Sequence, residues 1–88
     1  MELRKQDILL ADILVTELVE DIDIEYIESI INNALIDYKD TEFYSDLLVY
    51  LNSEFLDIMW CANQYSDIEK QRAEKANEIV YNLGRENE

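Results

Sequence analysis

Asp21, Asp23 and Glu25 alternate with apolar residues in the run Asp21-Ile22-Asp23-Ile24-Glu25. Alternating oxygen ligands of this kind open a calcium loop of the EF-hand type, which then needs Gly at its sixth position and a bidentate Glu at its twelfth. Tyr26 and Asn32 occupy those places. The run reads instead as a turn between helices whose aspartates cap the next one. No metal and no cofactor is expected. Paired carboxylates can run acid–base chemistry, but with twenty-one acids in the chain some pairs are inevitable and carry no information. The commonest general base is missing, because there is no His. Ser29, Ser45 and Ser53 therefore lack a His to activate them. A lone glycine, Gly84, leaves no Gly-rich phosphate loop and no nucleophile elbow. The chain is not expected to be an enzyme.

The acids do set a field. From Asp7 to Asp57 there are fourteen acidic side chains and one base, Lys39, which accounts for −13 of the net −14. Such crowding costs self-repulsion in a compact domain. Bases four residues away, usual on a solvated helix face, are almost absent before Lys70. Carboxylates three or four residues apart on a helix stand roughly 5–6 Å apart, and phosphates advance ~3.4 Å per strand along a duplex. Two acidic helices side by side approach that charge density. The expected partner is a basic, nucleic-acid-binding protein, met by Asp12, Glu20, Asp21, Asp23, Glu25, Glu28, Asp37, Asp40, Glu42, Asp46 and Asp57. Direct contact with DNA, RNA or an anionic membrane is disfavoured by sign.

An apolar content of 49% is too high for a disordered acidic tail. Eighty-eight residues suffice for one domain, residues 1–88, with 85–88 expected to fray. The absence of Pro and near-absence of Gly argue against hairpins and strands. The fold class is therefore all-α, a small bundle of three to four helices with one long helix over about 41–65. The lone Cys61 reads as a buried hydrophobe, and the chain reads as cytoplasmic, with neither a secretory signal nor a membrane span.

Periodicity places four helices. The first covers Leu3 to Glu20, with Ile8, Leu10, Ala11, Leu14, Val15, Leu18 and Val19 facing the core. Leu9 and Ile13 fall on the other side and are the expected oligomer interface, so a homodimer is expected. The second runs from Ile24 to Tyr38 behind Asp23 or Asp21 as N-cap. It is lined by Ile24, Ile27, Ile31, Ala34 and Tyr38. The third starts near Asp40 or Thr41 and carries Tyr44, Leu48, Leu51, Phe55, Ile58, Ala62 and Tyr65 in unbroken 4-3 spacing; a break at Asn52-Ser53 is the alternative. Tyr50 and Trp60 lie off that stripe among acids, as protein-binding aromatics do. The fourth opens with the capping box Ser66-Asp67-Ile68-Glu69, buries Ile68, Ala73, Ala76, Ile79, Val80 and Leu83, and ends at Gly84 as a left-handed cap. Its surface mixes both signs.

The stretch Asp21-Ile22-Asp23-Ile24-Glu25-Tyr26-Ile27-Glu28-Ser29-Ile30-Ile31-Asn32-Asn33-Ala34, with Asp37-Tyr38 and Tyr44-Ser45-Asp46-Leu47-Leu48, resembles the Ocr antirestriction proteins of phage, which are small, acidic, all-helical dimeric DNA mimics. The shared pattern is an acidic turn, an amphipathic helix and an aromatic-acidic start to the next helix. The resemblance implies a phage or mobile-element protein that blocks a DNA-binding defence enzyme, in the host cytoplasm, with Asp21, Asp23, Glu25, Glu28, Asp37 and Asp46 standing in for phosphates. Two other readings fit the charge and the apolar faces: an immunity protein or antitoxin that neutralises a nuclease toxin, and an oligomerising structural or assembly protein.

Overall fold

Helix α1 (Lys5–Glu20) begins without a Ser, Thr, Asp or Asn at its N-cap. Asp7 does the capping from inside the first turn, where its Oδ2 accepts from the Arg4 backbone N–H at 3.0 Å. A carboxylate at this end also complements the helix dipole. The structure is a computed structural model that describes residues 2–61 and 63–87. Among these residues the elements are α-helical, with two short 3-10 turns: α1, α2 (Ile27–Leu35), α3 (Tyr44–Met59) and α4 (Asp67–Glu86). The fold is the expected small all-α bundle, and one hydrophobic cluster draws side chains from all four helices.

Ala11, Leu14, Val15, Leu18 and Val19 of α1 are buried, which leaves Leu9 and Ile13 60% and 51% exposed. The single helix expected over Ile24 to Tyr38 is divided. Ile24–Tyr26 and Ile36–Tyr38 are 3-10 turns on either side of α2. Neither Asp21 nor Asp23 caps with its side chain here; the Tyr26 N–H donates to the backbone carbonyl of Asp23 at 3.0 Å. Tightening at uncapped helix ends changes the angular step from residue to residue. The buried set is accordingly Ile27, Ile31 and Leu35, while Ile24 turns outward and Ala34 is only partly buried.

The third helix is shorter than 41–65. The Thr41 hydroxyl turns back to the Tyr38 carbonyl at 2.8 Å and closes the preceding turn rather than capping α3. The helix starts at Tyr44, runs through Asn52 and Ser53 without a break, and stops at Met59. The Trp60 N–H still donates to the Leu56 carbonyl at 3.0 Å, but Trp60 has left helical geometry at φ −94°, ψ 0°. A reversal is required here, because Ser66 starts the next helix only six residues on. Tyr65 nevertheless packs against the core, so the 4-3 spacing carried across the turn and gave the appearance of a longer helix. Ala62, assigned to the same stripe, lies outside the described residues.

The longest helix is α4, with 20 residues. Its capping box forms as expected: the Glu69 N–H donates to Ser66 Oγ at 3.3 Å and the Ser66 N–H to Glu69 Oε1 at 2.8 Å. Ala73, Ala76, Ile79, Val80 and Leu83 are buried, but Ile68 is exposed. Gly84 is not a left-handed cap. The described residues contain no positive φ, and the helix continues through Arg85 and Glu86 to close at Asn87. A glycine inside a helix costs roughly 0.5–1 kcal/mol against Ala, and an added Cβ would meet nothing within 4 Å. Packing within the chain does not explain it. Arg72 of α4 reaches the end of α1, its Nη1 donating to the carbonyls of Val19 at 3.0 Å and Glu20 at 3.2 Å. These are orphan acceptors of a helix C-terminus. No helix among the described residues is long and apolar enough to cross a membrane.

Candidate functional site

The acids are distributed by the helices in three groups. Glu20, Asp21, Asp23, Glu25 and Glu28 crowd the turn from α1 into α2 and are exposed. Asp37, Asp40 and Glu42 are exposed on the connection from α2 to α3, and Asp46 in the first turn of α3 is half-buried. Asp12 and Asp57 are exposed on the facing flanks of α1 and α3. The nine residues of α2 separate the first group from the second by about 13 Å of helix. The acid block is thus an envelope around several faces rather than one continuous stripe.

Two of the chain's bases are engaged away from that envelope. Arg72 holds the end of α1, as above. Arg4 clasps Asp7, Nε to Oδ2 and Nη2 to Oδ1 each at 3.0 Å, with its guanidinium carbon 4.1 Å from the centroid of the Phe43 ring. Asp7 has no exposed surface and also accepts from the Tyr38 hydroxyl at 2.8 Å. The Arg4 hydrogen bonds, helped by Tyr38 and the Arg4 backbone N–H and opposed by burial, lower its pKa from 3.8 to about 2. One member of the sequence's acid block is therefore a structural anion. The same bond and burial push the Tyr38 hydroxyl pKa up.

The described molecule measures 35 × 24 × 21 Å. A net charge of −14 along 35 Å is one charge per about 2.5 Å, against one per ~1.7 Å for duplex DNA with both strands counted. The density is of the same order.

One groove brings together three of the expected site residues. Asp12, Val15 and Thr16 of α1 face Tyr50, Glu54, Asp57 and Ile58 of α3, with Cys61, Gln64 and Tyr65 closing one end, around a volume of about 480 Å³. The Tyr50 hydroxyl donates to Asp12 Oδ1 at 2.8 Å. That bond, then burial and the neighbouring charge of Glu54, push the phenol pKa up. Tyr50 is half-buried and forms a wall of the groove. Trp60 is 82% exposed, next in sequence to the half-buried Cys61. Carboxylates beside phenol faces suit the head of an arginine or lysine side chain. Glu54 and Gln64 were not singled out in the sequence, and Tyr65 was read only as a core residue, because pairing α1 with α3 needs the fold. Among the described residues no three His, Cys, Asp or Glu side chains come together to hold a metal ion.

Comparison with protein-family models, with curated proteins and with solved structures finds no match for this chain.

Proposed function

We propose that the protein acts by binding, as an inhibitor that presents its acidic envelope to the basic groove of a DNA- or RNA-processing protein. The observation that supports this reading is the exposed acid set Asp12, Glu20, Asp21, Asp23, Glu25, Glu28, Asp37, Asp40, Glu42 and Asp57, with Arg4 and Arg72 engaged elsewhere, at Asp7 and at the end of α1. Charge density near that of a duplex makes the surface a competitor for phosphate-binding sites. The resemblance to Ocr adds the setting: a phage or mobile-element protein acting in the host cytoplasm against a defence enzyme. Capture of partners from a bacterial lysate at low and high salt, followed by mass spectrometry, tests it. Basic nucleic-acid-binding proteins should be retained at low salt and released at high salt. A variant with Asp21→Asn, Asp23→Asn, Glu25→Gln and Glu28→Gln should bind them more weakly by roughly 1–4 kcal/mol. Full inhibition by that variant at low salt would falsify the mimic reading.

A second reading keeps the basic partner and is favoured by Trp60. An 82% exposed Trp, next in sequence to Cys61 of the acid-lined groove, is the kind of residue that dominates a cognate interface. On that reading the protein is an immunity protein or antitoxin for a single nuclease toxin, and one aromatic outweighs scattered acids.

A further inference from the structure

The face where α1 meets α3 pairs an acid-lined groove with an exposed apolar row. From Leu9 to Glu20 the charged residues of α1 are Asp12, Glu17 and Glu20, and those of α3 are Asp46, Glu54 and Asp57. The groove of about 480 Å³ between the helices is lined by Asp12, Tyr50, Glu54 and Asp57, and none of its lining residues is a base. Glu54 and Asp57 stand one turn apart on α3, roughly 5–6 Å from each other. Asp12 faces them from α1, its Oδ1 accepting from the Tyr50 hydroxyl at 2.8 Å. Val15, Ile58 and Tyr65 add apolar surface to the same groove. Beside it, Leu9 and Ile13 are 60% and 51% exposed. Those two are four residues apart on α1 and run parallel to Asp12 and Thr16, also four apart, at the groove's edge.

We infer that this face holds one amphipathic helix of a protein partner, which seats an arginine in the groove and lays apolar side chains on Leu9 and Ile13. The inference rests on the inhibitor reading and gives its partner a recognition element. Charge complementarity commits the groove to a cation, since three carboxylates line it and no base answers them. Arginine suits it better than lysine. A planar guanidinium bonds carboxylates on two sides while lying against a phenol ring, and the arginine methylenes suit Val15 and Ile58. A small free cation would leave Leu9 and Ile13 uncovered. A helix covers both rows, because its own side chains recur at the same four-residue step and an apolar row can lie beside a basic one. A second copy of the chain is opposed by charge, bringing a net −14 of its own. DNA and RNA are opposed by the same sign.

Fluorescence anisotropy with a labelled synthetic peptide reads the result. The peptide is helical, with two leucines four residues apart and an arginine on the adjoining flank. A shuffled isomer, equal in charge but without the amphipathic face, should bind about tenfold more weakly. Citrulline in place of the arginine keeps its shape without its charge and should cost a similar factor, and lysine about threefold. In the protein, Glu54→Gln with Asp57→Asn, and separately Leu9→Gln with Ile13→Gln, should each weaken the helical peptide about tenfold while circular dichroism is unchanged. Failure of the helical peptide to bind overturns the proposal. So does equal binding of the shuffled, citrulline or lysine peptide, or indifference to either pair of substitutions. If the Leu9 and Ile13 changes alter only the sedimented mass of the protein, that row serves a second copy and the proposal is likewise overturned. The four amide substitutions at Asp21, Asp23, Glu25 and Glu28 separate this inference from the reading it rests on. If they abolish capture of basic proteins from lysate while the groove substitutions affect neither capture nor peptide, the envelope stands and the groove inference falls. If the peptide responds to the groove substitutions while the four amides leave capture unchanged, the groove stands and the envelope falls.

Discussion

The Tyr38 hydroxyl and Asp7 Oδ1 lie 2.8 Å apart across 31 positions of sequence. The bond ties the start of α1 to the turn that follows α2. Arg4 adds three hydrogen bonds to the same carboxylate and lies over Phe43 at the entrance to α3. The start of α1 and both ends of the connection from α2 to α3 are therefore gathered around one buried anion. Removing one member of such a group leaves the others unpaired, which costs more than the bond itself is worth. Asp7→Asn should lower the melting temperature by on the order of 10 °C. Tyr38→Phe removes a single donor and should cost a few degrees at most. Thermal unfolding followed by circular dichroism checks both values and their order.

The same carboxylate sets a pH dependence. Its pKa in the folded protein is about 2, below the ordinary 3.8. A depressed folded value means that the folded state binds this proton less readily than the unfolded chain. Its contribution is complete above pH 3.8 and is lost as pH falls through about 2. Urea titrations at successive pH values between those limits should show stability declining with acid. Asp7→Asn should lack that part of the decline. A variant with an unchanged acid profile would show that Asp7 does not carry it.

Salt should act on the fold and on the proposed complex with opposite signs. Within the chain, screening relieves repulsion among acids that outnumber the bases three to one. The melting temperature should therefore rise with sodium chloride. Binding to a basic partner depends on the same charges attracting, so its association rate and affinity should fall. Melting curves and association kinetics over one salt series measure the two trends. If affinity is indifferent to salt, the acidic envelope is not the binding surface.

Much of the bundle was legible because helical periodicity records burial directly. Leu14, Leu18, Leu48, Leu51, Phe55, Ile79 and Val80 are all in the core that their spacing implied. The Ser66–Glu69 box was legible because it is local and has one geometry. The end of α3 was not, because Tyr65 keeps a core position after the helix has stopped, and spacing reports position rather than backbone state. Gly84 misled for a related reason: a left-handed cap serves a chain that reverses, and α4 continues to Glu86. For the candidate site, the chain showed that acids far outnumber bases but not which acids are exposed. Asp7 and Asp12 look alike in sequence. One is sealed by Arg4, and the other meets Tyr50 across a groove that exists only once α1 lies against α3.

Trp60 separates the two binding readings. At 82% exposure it contributes little to the fold, so Trp60→Ala should change stability by no more than about 0.5 kcal/mol. Partner affinity then reports on the surface alone. If distributed charge dominates, Trp60→Ala should have a small effect, while the four amide substitutions at Asp21, Asp23, Glu25 and Glu28 should reduce both affinity and its salt slope. If a cognate hot spot dominates, Trp60→Ala should cost about 2 kcal/mol or more and leave the salt slope intact, because no charge has been removed. Titration calorimetry of both variants at two salt concentrations distinguishes these patterns. Tyr50→Phe is the internal control: it keeps the ring in the groove wall but removes the donor to Asp12. A large loss of affinity from Tyr50→Phe with none from Trp60→Ala would place the contact inside the groove between α1 and α3 rather than at Trp60.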